Sequence, residues 1–201
     1  MDKKQLKDFF LENEINFKKY FKFEELVFNC WKQHESSKKK EMIKGCFDRY
    51  SEFASYKEKF LLERKQFRIE PWLLQPLFKE LYNKYFKVEL KPDKNGFNSF
   101  GRKNKLDFID KNNKILFEIK RNHKNANWGW GTAIDQFISV KASKDFCNNG
   151  DFQDYKFFLF IVDFMYTEPL TEEEKRILDD NEICYYRVYK NKKLSIETNI
   201  Y

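Results

Sequence analysis

No stretch of about 18 uncharged apolar residues occurs in this chain, and the opening MDKKQLKDFF is charged from its second residue, so neither a membrane span nor a signal peptide is expected. Glycine and proline are scarce, six and four in 201 residues, and no glycine-rich loop follows any expected strand. That absence removes P-loop and Rossmann nucleotide binding. The four cysteines, Cys30, Cys46, Cys147 and Cys184, make no CxxC pair, and Cys30 with His34 lacks two further ligands for a structural zinc. Reduced, structural thiols in a soluble, cytoplasmic protein with no membrane partner are the expectation. Arginine is also sparse: only seven of the 39 basic residues are Arg.

What is present is a formal charge of +7. Such a balance suits a polyanionic partner, because lysines near phosphates release condensed counterions. The enrichment in Lys, Asn, Ile and Phe is also what an AT-rich genome produces without selection for DNA binding, so charge alone does not decide the partner.

Residues 1–67 contain no proline and carry apolar residues at three- and four-residue spacing (Phe9, Phe10, Ile15, Phe17, Phe21, Phe23, Leu26, Val27, Trp31). This predicts an N-terminal region of amphipathic helices suited to dimerisation or DNA clamping. From 68 to 201 the pattern changes. A helix is expected over 71–86, with Pro76 near its first turn, then a short strand at 87–91 and an irregular loop at 92–102. Two β-prone runs around 105–109 and 114–120 flank Asp110-Lys111-Asn112-Asn113, which is turn chemistry. Further on come a helix at 131–143, a buried strand at 155–164, a capped helix at 171–180 and a strand at 183–189. The order predicts the α/β class: a mixed central β-sheet flanked by helices, with an N-terminal helical extension.

With the hairpin turn centred between Lys111 and Asn112, Asp107 falls opposite Leu116 and shares a face with Glu118 and Lys120. Leu106, Phe108, Ile115, Phe117 and Ile119 then form the other, apolar face. Two neighbouring carboxylates are costly to keep ionised unless a cation neutralises them, and Mg²⁺, or Mn²⁺ in its place, takes hard oxygen ligands while leaving room for water and phosphate. Lys120 would orient that water or stabilise the transition state, so the constellation suits phosphodiester hydrolysis.

The stretch Asp107, a ten-residue gap, then Glu118-Ile119-Lys120 resembles the PD-(D/E)xK nuclease superfamily. The resemblance covers about residues 70–165 and implies a restriction-endonuclease-like core, with Asp107 and Glu118 as metal ligands and Lys120 as the catalytic lysine. The tripeptide by itself is weak, since an acid two residues before a lysine occurs six times here, but only Glu118 has an Asp on a preceding hairpin partner. Leu106 stands where the family's proline often does, and the literal Pro92-Asp93 lies upstream among turn residues, where Asp93 reads as a solvated loop acid. The family often adds a glutamate from the preceding helix, for which Glu70 is favoured over Glu80; a helix-start acid complementing the dipole is the plainer reading of Glu70.

Arg102, Arg121 and Lys124 are the candidate DNA-binding cations. The loop 121–131 mixes basic, amide and aromatic groups suited to phosphates and bases, or is a connector whose Trp128 and Trp130 pack on the core. Gln136 is a further site-facing candidate. With only His34 and His123, an HNH nuclease is poorly supported. The resemblance implies a Mg²⁺-dependent DNA endonuclease, most like a type II restriction enzyme acting as a homodimer on double-stranded DNA. A resolvase, a repair or defence nuclease, and a non-catalytic DNA-binding subunit remain the alternatives.

Overall fold

The computed structural model describes residues 3–33, 36–58, 73–92, 97–99, 102–104, 106–121, 133–138, 154–163 and 167–200. Helix α1 spans Lys3–Gln33. Its buried side chains, Leu6, Phe9, Phe10, Asn13, Phe17, Tyr20, Phe21, Phe23, Glu24 and Val27, recur mostly in steps of three and four, which is one stripe of a helix. Ile15, expected with this set, is 68% exposed because it falls on the opposite side of the wheel. Helix α2, Ser36–Arg49, and a 3-10 turn, Ser51–Tyr56, follow. Helix α3, Gln75–Phe86, starts with Pro76 in its first turn and ends at Lys87, whose φ of 54° is left-handed. The strand expected at 87–91 is therefore reduced to β1, Lys91–Pro92, because the chain is still closing the helix at Lys87.

Six strands form one mixed sheet, in the order β1, β4 (Phe108–Asp110), β5 (Ile115–Arg121), β6 (Lys156–Asp163), β7 (Ile183–Asn191), β8 (Lys193–Thr198). The central β5, β6 and β7 are parallel; the outer pairs are antiparallel. Part of the expected irregular loop instead pairs as a separate small ladder, β2 (Phe97–Ser99) with β3 (Arg102–Asn104). Strand β8 was not expected at all. It turns back from β7 through Lys192, another left-handed residue, with no glycine to mark the turn.

Both faces of the sheet are buried. On one face Phe108, Ile115, Phe117, Ile119, Phe158, Phe160 and Tyr186 share a core with α1, α2 and α3. Phe10 stacks on Tyr186 at 4.1 Å and on Phe158 at 5.2 Å between ring centroids. The N-terminal helices thus share a core with the sheet, and the expected boundary near 67 lies outside the described residues. On the other face Leu116, Leu159, Ile161, Ile183 and Tyr185 meet helix α4, residues 133–138, and helix α5, Glu172–Asp180.

Helix α5 begins with a capping box: Thr171 Oγ1 accepts from Glu174 N (3.2 Å) and Glu174 Oε2 accepts from Thr171 N (2.7 Å). Thr171→Ala is expected to cost about 1 kcal/mol. A thermal melt should show Tm lower by roughly 2–4 °C; an unchanged Tm would mean that the box adds nothing to the cap.

Candidate active site

The hairpin β4–β5 pairs Asp110 with Ile115, Ile109 with Leu116 and Phe108 with Phe117. Its loop is therefore 111–114, centred one residue later than the sequence implied. Lys114 adopts φ 54°, and Asp110 Oδ1 and Oδ2 accept from the Asn113 backbone N (3.0 Å) and side-chain Nδ2 (2.8 Å), so four residues close the turn. Tyr82 donates its hydroxyl to Asp110 Oδ2 at 2.7 Å, and burial, with this bond, pushes the phenol well above its ordinary pKa.

A one-residue move of the centre shifts each pairing by two residues and so keeps every β5 side chain on its expected face. Continuing the register, Asp107 comes opposite Glu118 rather than Leu116, which brings the two acids closer than expected. The chain bends at Asp107. Because of that bend Leu106 leaves the expected apolar face and joins Leu116 and Ile109 in the second core.

Contacts around the acids define the site. Asp107 donates its backbone N–H to Phe117 O (3.1 Å) and to Glu118 Oε2 (3.2 Å). Its carboxylate accepts from Ile119 N at 2.7 Å on Oδ2 and from Gln75 Nε2 at 2.6 Å on Oδ1. Glu118 Oε1 accepts from Lys120 Nζ, in an ion pair whose side chains are 2% and 10% exposed. Asp107, Glu118 and Lys120 are thus gathered at the rim of the second core, on the face that Leu116 begins.

Of the acids weighed for helix α3, Glu80 accepts from the Tyr56 hydroxyl and is not drawn to Asp107. Glu70 lies outside the described residues, as do Asp93 and Lys124. The residue of α3 that does reach Asp107 is Gln75, which a search for acids passes over. Arg102 sits on β3, at the paired end with Ser99. Gln136 is half-buried on α4.

Arg121, expected among the DNA-facing cations, donates Nε to Glu24 Oε1 of α1. Glu24 is fully buried, and burial lowers the Arg121 guanidinium to about 10, which still leaves it charged at neutral pH. The pair ties α1 to the strand residue that follows Lys120. Glu24 was missed, yet its sequence signal exists: it falls at a core position of the stripe Phe17, Tyr20, Phe21, Glu24, Val27.

The sheet face that bears Glu118 and Lys120 carries a second charged group. Asp163 and Arg187 are both fully buried, with Arg187 Nη2 2.9 Å from Asp163 Oδ2. In the strand register Ile161 lies between Lys120 and Arg187.

Among the described residues no cluster of three or more His, Cys, Asp or Glu side chains could hold a metal ion. Two hard carboxylates do fit Mg²⁺, which usually keeps several waters and binds through one or two carboxylates plus substrate phosphate. No described helix is long and apolar enough to cross a membrane. No family model, curated protein or solved structure matches this chain.

Proposed function

We propose that this chain is a Mg²⁺-dependent endonuclease that hydrolyses phosphodiester bonds of double-stranded DNA, with a restriction-endonuclease-like core. The observation that carries the reading is the placing of Asp107 and Glu118 across the hairpin end, where the Asp107 backbone N–H donates to Glu118 Oε2 and Lys120 donates to Glu118 Oε1. Asp107 and Glu118 would hold the ion. When bound, Mg²⁺ supplies charge neutralisation at the phosphate and a lowered pKa for a coordinated water.

The chain's own groups account for the rest. Ile119 N–H and the Gln75 amide hold the two Asp107 oxygens and so orient its carboxylate. Lys120 is paired with Glu118. From its place beside Glu118 the Lys120 ammonium would stabilise negative charge on a phosphate in the transition state. The Glu24–Arg121 pair fixes the strand end that carries Lys120. In this reading Arg121 is a brace, while Arg102, Lys124 and the net charge of +7 serve the DNA backbone.

Restriction is the preferred biological role, with a cytoplasmic homodimer cutting a two-fold site, because isologous contacts mirror palindromic DNA. A resolvase, repair or defence role would use the same chemistry. The reading from another class, a non-catalytic DNA-binding subunit, finds support in the Glu118–Lys120 pair, which can serve structure alone. In that reading the Asp107 carboxylate also serves structure, through Ile119 N–H and Gln75 Nε2.

Purified chain incubated with plasmid or phage DNA should cut with Mg²⁺ or Mn²⁺ and stop in EDTA. Ca²⁺ should support binding with little cleavage, since its looser coordination positions water poorly. Discrete fragments mean sequence-specific cutting and a smear means non-specific cutting. DNA binding without cleavage under any of these ions assigns the non-catalytic role, and undiminished cutting in EDTA rejects the metal mechanism. Affinity should also fall steeply with salt, with a log–log slope of roughly 0.9 per phosphate contact. A flat response would point to a partner other than nucleic acid.

A further inference from the structure

Cys30, near the C-terminal end of α1, and Cys46, in the last turn of α2, hold their sulfurs 3.5 Å apart. Both are free thiols. A disulfide needs about 2.05 Å, so an approach of about 1.5 Å by two side chains, each turning on a single torsion, would close the bond. The two sulfurs are unequal in access: Cys30 is half-buried, whereas Cys46 is 2% exposed.

We propose that Cys30 and Cys46 form an oxidative modification site, a dithiol that a peroxide converts into an intramolecular disulfide joining α1 to α2. This inference is independent of the nuclease reading. The Cys30 thiolate attacks the O–O bond of hydrogen peroxide, giving a sulfenic acid and a hydroxide that is protonated to water. Cys46 sulfur then attacks the Cys30 sulfur; the S–O bond breaks, and the departing hydroxide takes the Cys46 proton and leaves as water. Two thiols and one peroxide give one disulfide and two waters, the sulfurs losing two electrons to the peroxide oxygens.

The division of roles follows from the surroundings. Burial, reinforced by the hydrogen bond and charge of Cys30, pushes the Cys46 thiol up to about 12, which keeps it protonated and unreactive towards oxidant on its own. Proximity to the Cys30 sulfur is what makes it the resolving group. Cys184 is buried on β7, with its thiol raised by burial, and is expected to stay inert. The crosslink would clamp the part of α1 that carries Glu24, six residues before Cys30 and about 9 Å along the helix axis. That is the segment bracing Arg121.

The test exposes the full chain to hydrogen peroxide, blocks remaining thiols with N-ethylmaleimide, and maps the products by intact and peptide mass. The expected product has lost two hydrogens and two labelling sites, contains a crosslinked Cys30–Cys46 peptide, and reverts with dithiothreitol. Its Tm should lie above that of the reduced chain by several degrees, up to about 10 °C. Cys30→Ser and Cys46→Ala should each abolish the crosslink. Full labelling of both cysteines after peroxide, a crosslink to Cys147 or Cys184, or Cys30 carried on to sulfinic acid without closure would each overturn the proposal. The wild-type mapping decides the matter even if a variant fails to fold.

Discussion

Asp107→Asn, Glu118→Gln and Lys120→Met are each expected to lower Mg²⁺-dependent DNA cleavage by about three orders of magnitude or more, because members of one cooperating catalytic set fail together. For the same reason a double variant should resemble a single one. Near-isosteric replacements are chosen over alanine because Glu118 and Lys120 are 2% and 10% exposed, and truncation there would open a void as well as remove charge. Asp107→Asn keeps an oxygen for Ile119 N–H, and the Gln75 amide can turn its own oxygen to the new NH₂ group. The fold should therefore survive, as a thermal melt will report. Gln75→Leu should reduce cleavage less than Asp107→Asn, since it removes one hydrogen bond to Asp107 without removing the acid. Glu89→Ala, an exposed acid that also stands two residues before a lysine, should remain active. Full cleavage by all three site variants, with the fold intact, would remove the nuclease assignment from this hairpin.

The parts of this site that the sequence foretold are those fixed by local periodicity. Alternation along 115–121 sets which face Glu118 and Lys120 take, and no tertiary contact can change that parity without a bulge. Helix α5 was predictable from Thr171 and Glu174, and β6 from a continuous apolar run. The exact register was not predictable, because it depends on Lys114 taking a left-handed conformation that the sequence gives no reason to expect of a lysine. Gln75 and Glu24 reach the site from 32 and 97 residues away in sequence. Pairing at such separation is set by how the helices pack, so sequence offers only the anomaly of an acid in an apolar stripe. Strand β8 was missed for a related reason: its six residues alternate, yet none is fully buried and no glycine marks the turn before it.

The largest stability effect should come from the other buried charge on this face. Arg187 joins three strands and a loop: Nε and Nη2 donate to Asp163 Oδ2 (3.2 and 2.9 Å), and Nη1 donates to Glu197 Oε2 (3.1 Å) and Glu168 O (2.9 Å). Its guanidinium carbon also lies 4.4 Å from the centroid of the Tyr189 ring. Arg187→Met is expected to cost about 3–5 kcal/mol, because it removes the buried guanidinium that donates twice to the fully buried Asp163 carboxylate. Glu197 suffers less: its Oε2 keeps the Leu170 N–H (3.0 Å), and Lys175 lies 3.7 Å from its Oε1. Arg187→Lys should recover only part of the loss, since one ammonium cannot bridge Asp163, Glu197 and the Glu168 carbonyl as the planar fork does. The double variant Asp163→Leu/Arg187→Met should be more stable than Arg187→Met alone, because removing both charges also removes the cost of burying one. Arg176→Ala is the control. Its pair with Asp180 spans 4.0 Å between side chains 73% and 69% exposed, so its loss should cost no more than about 0.5 kcal/mol. Urea denaturation of the four variants beside the wild type will order them. A loss below about 1 kcal/mol for Arg187→Met would mean that Asp163 finds water or another donor once the guanidinium is gone, and that the cluster is not what holds β6, β7 and β8 together.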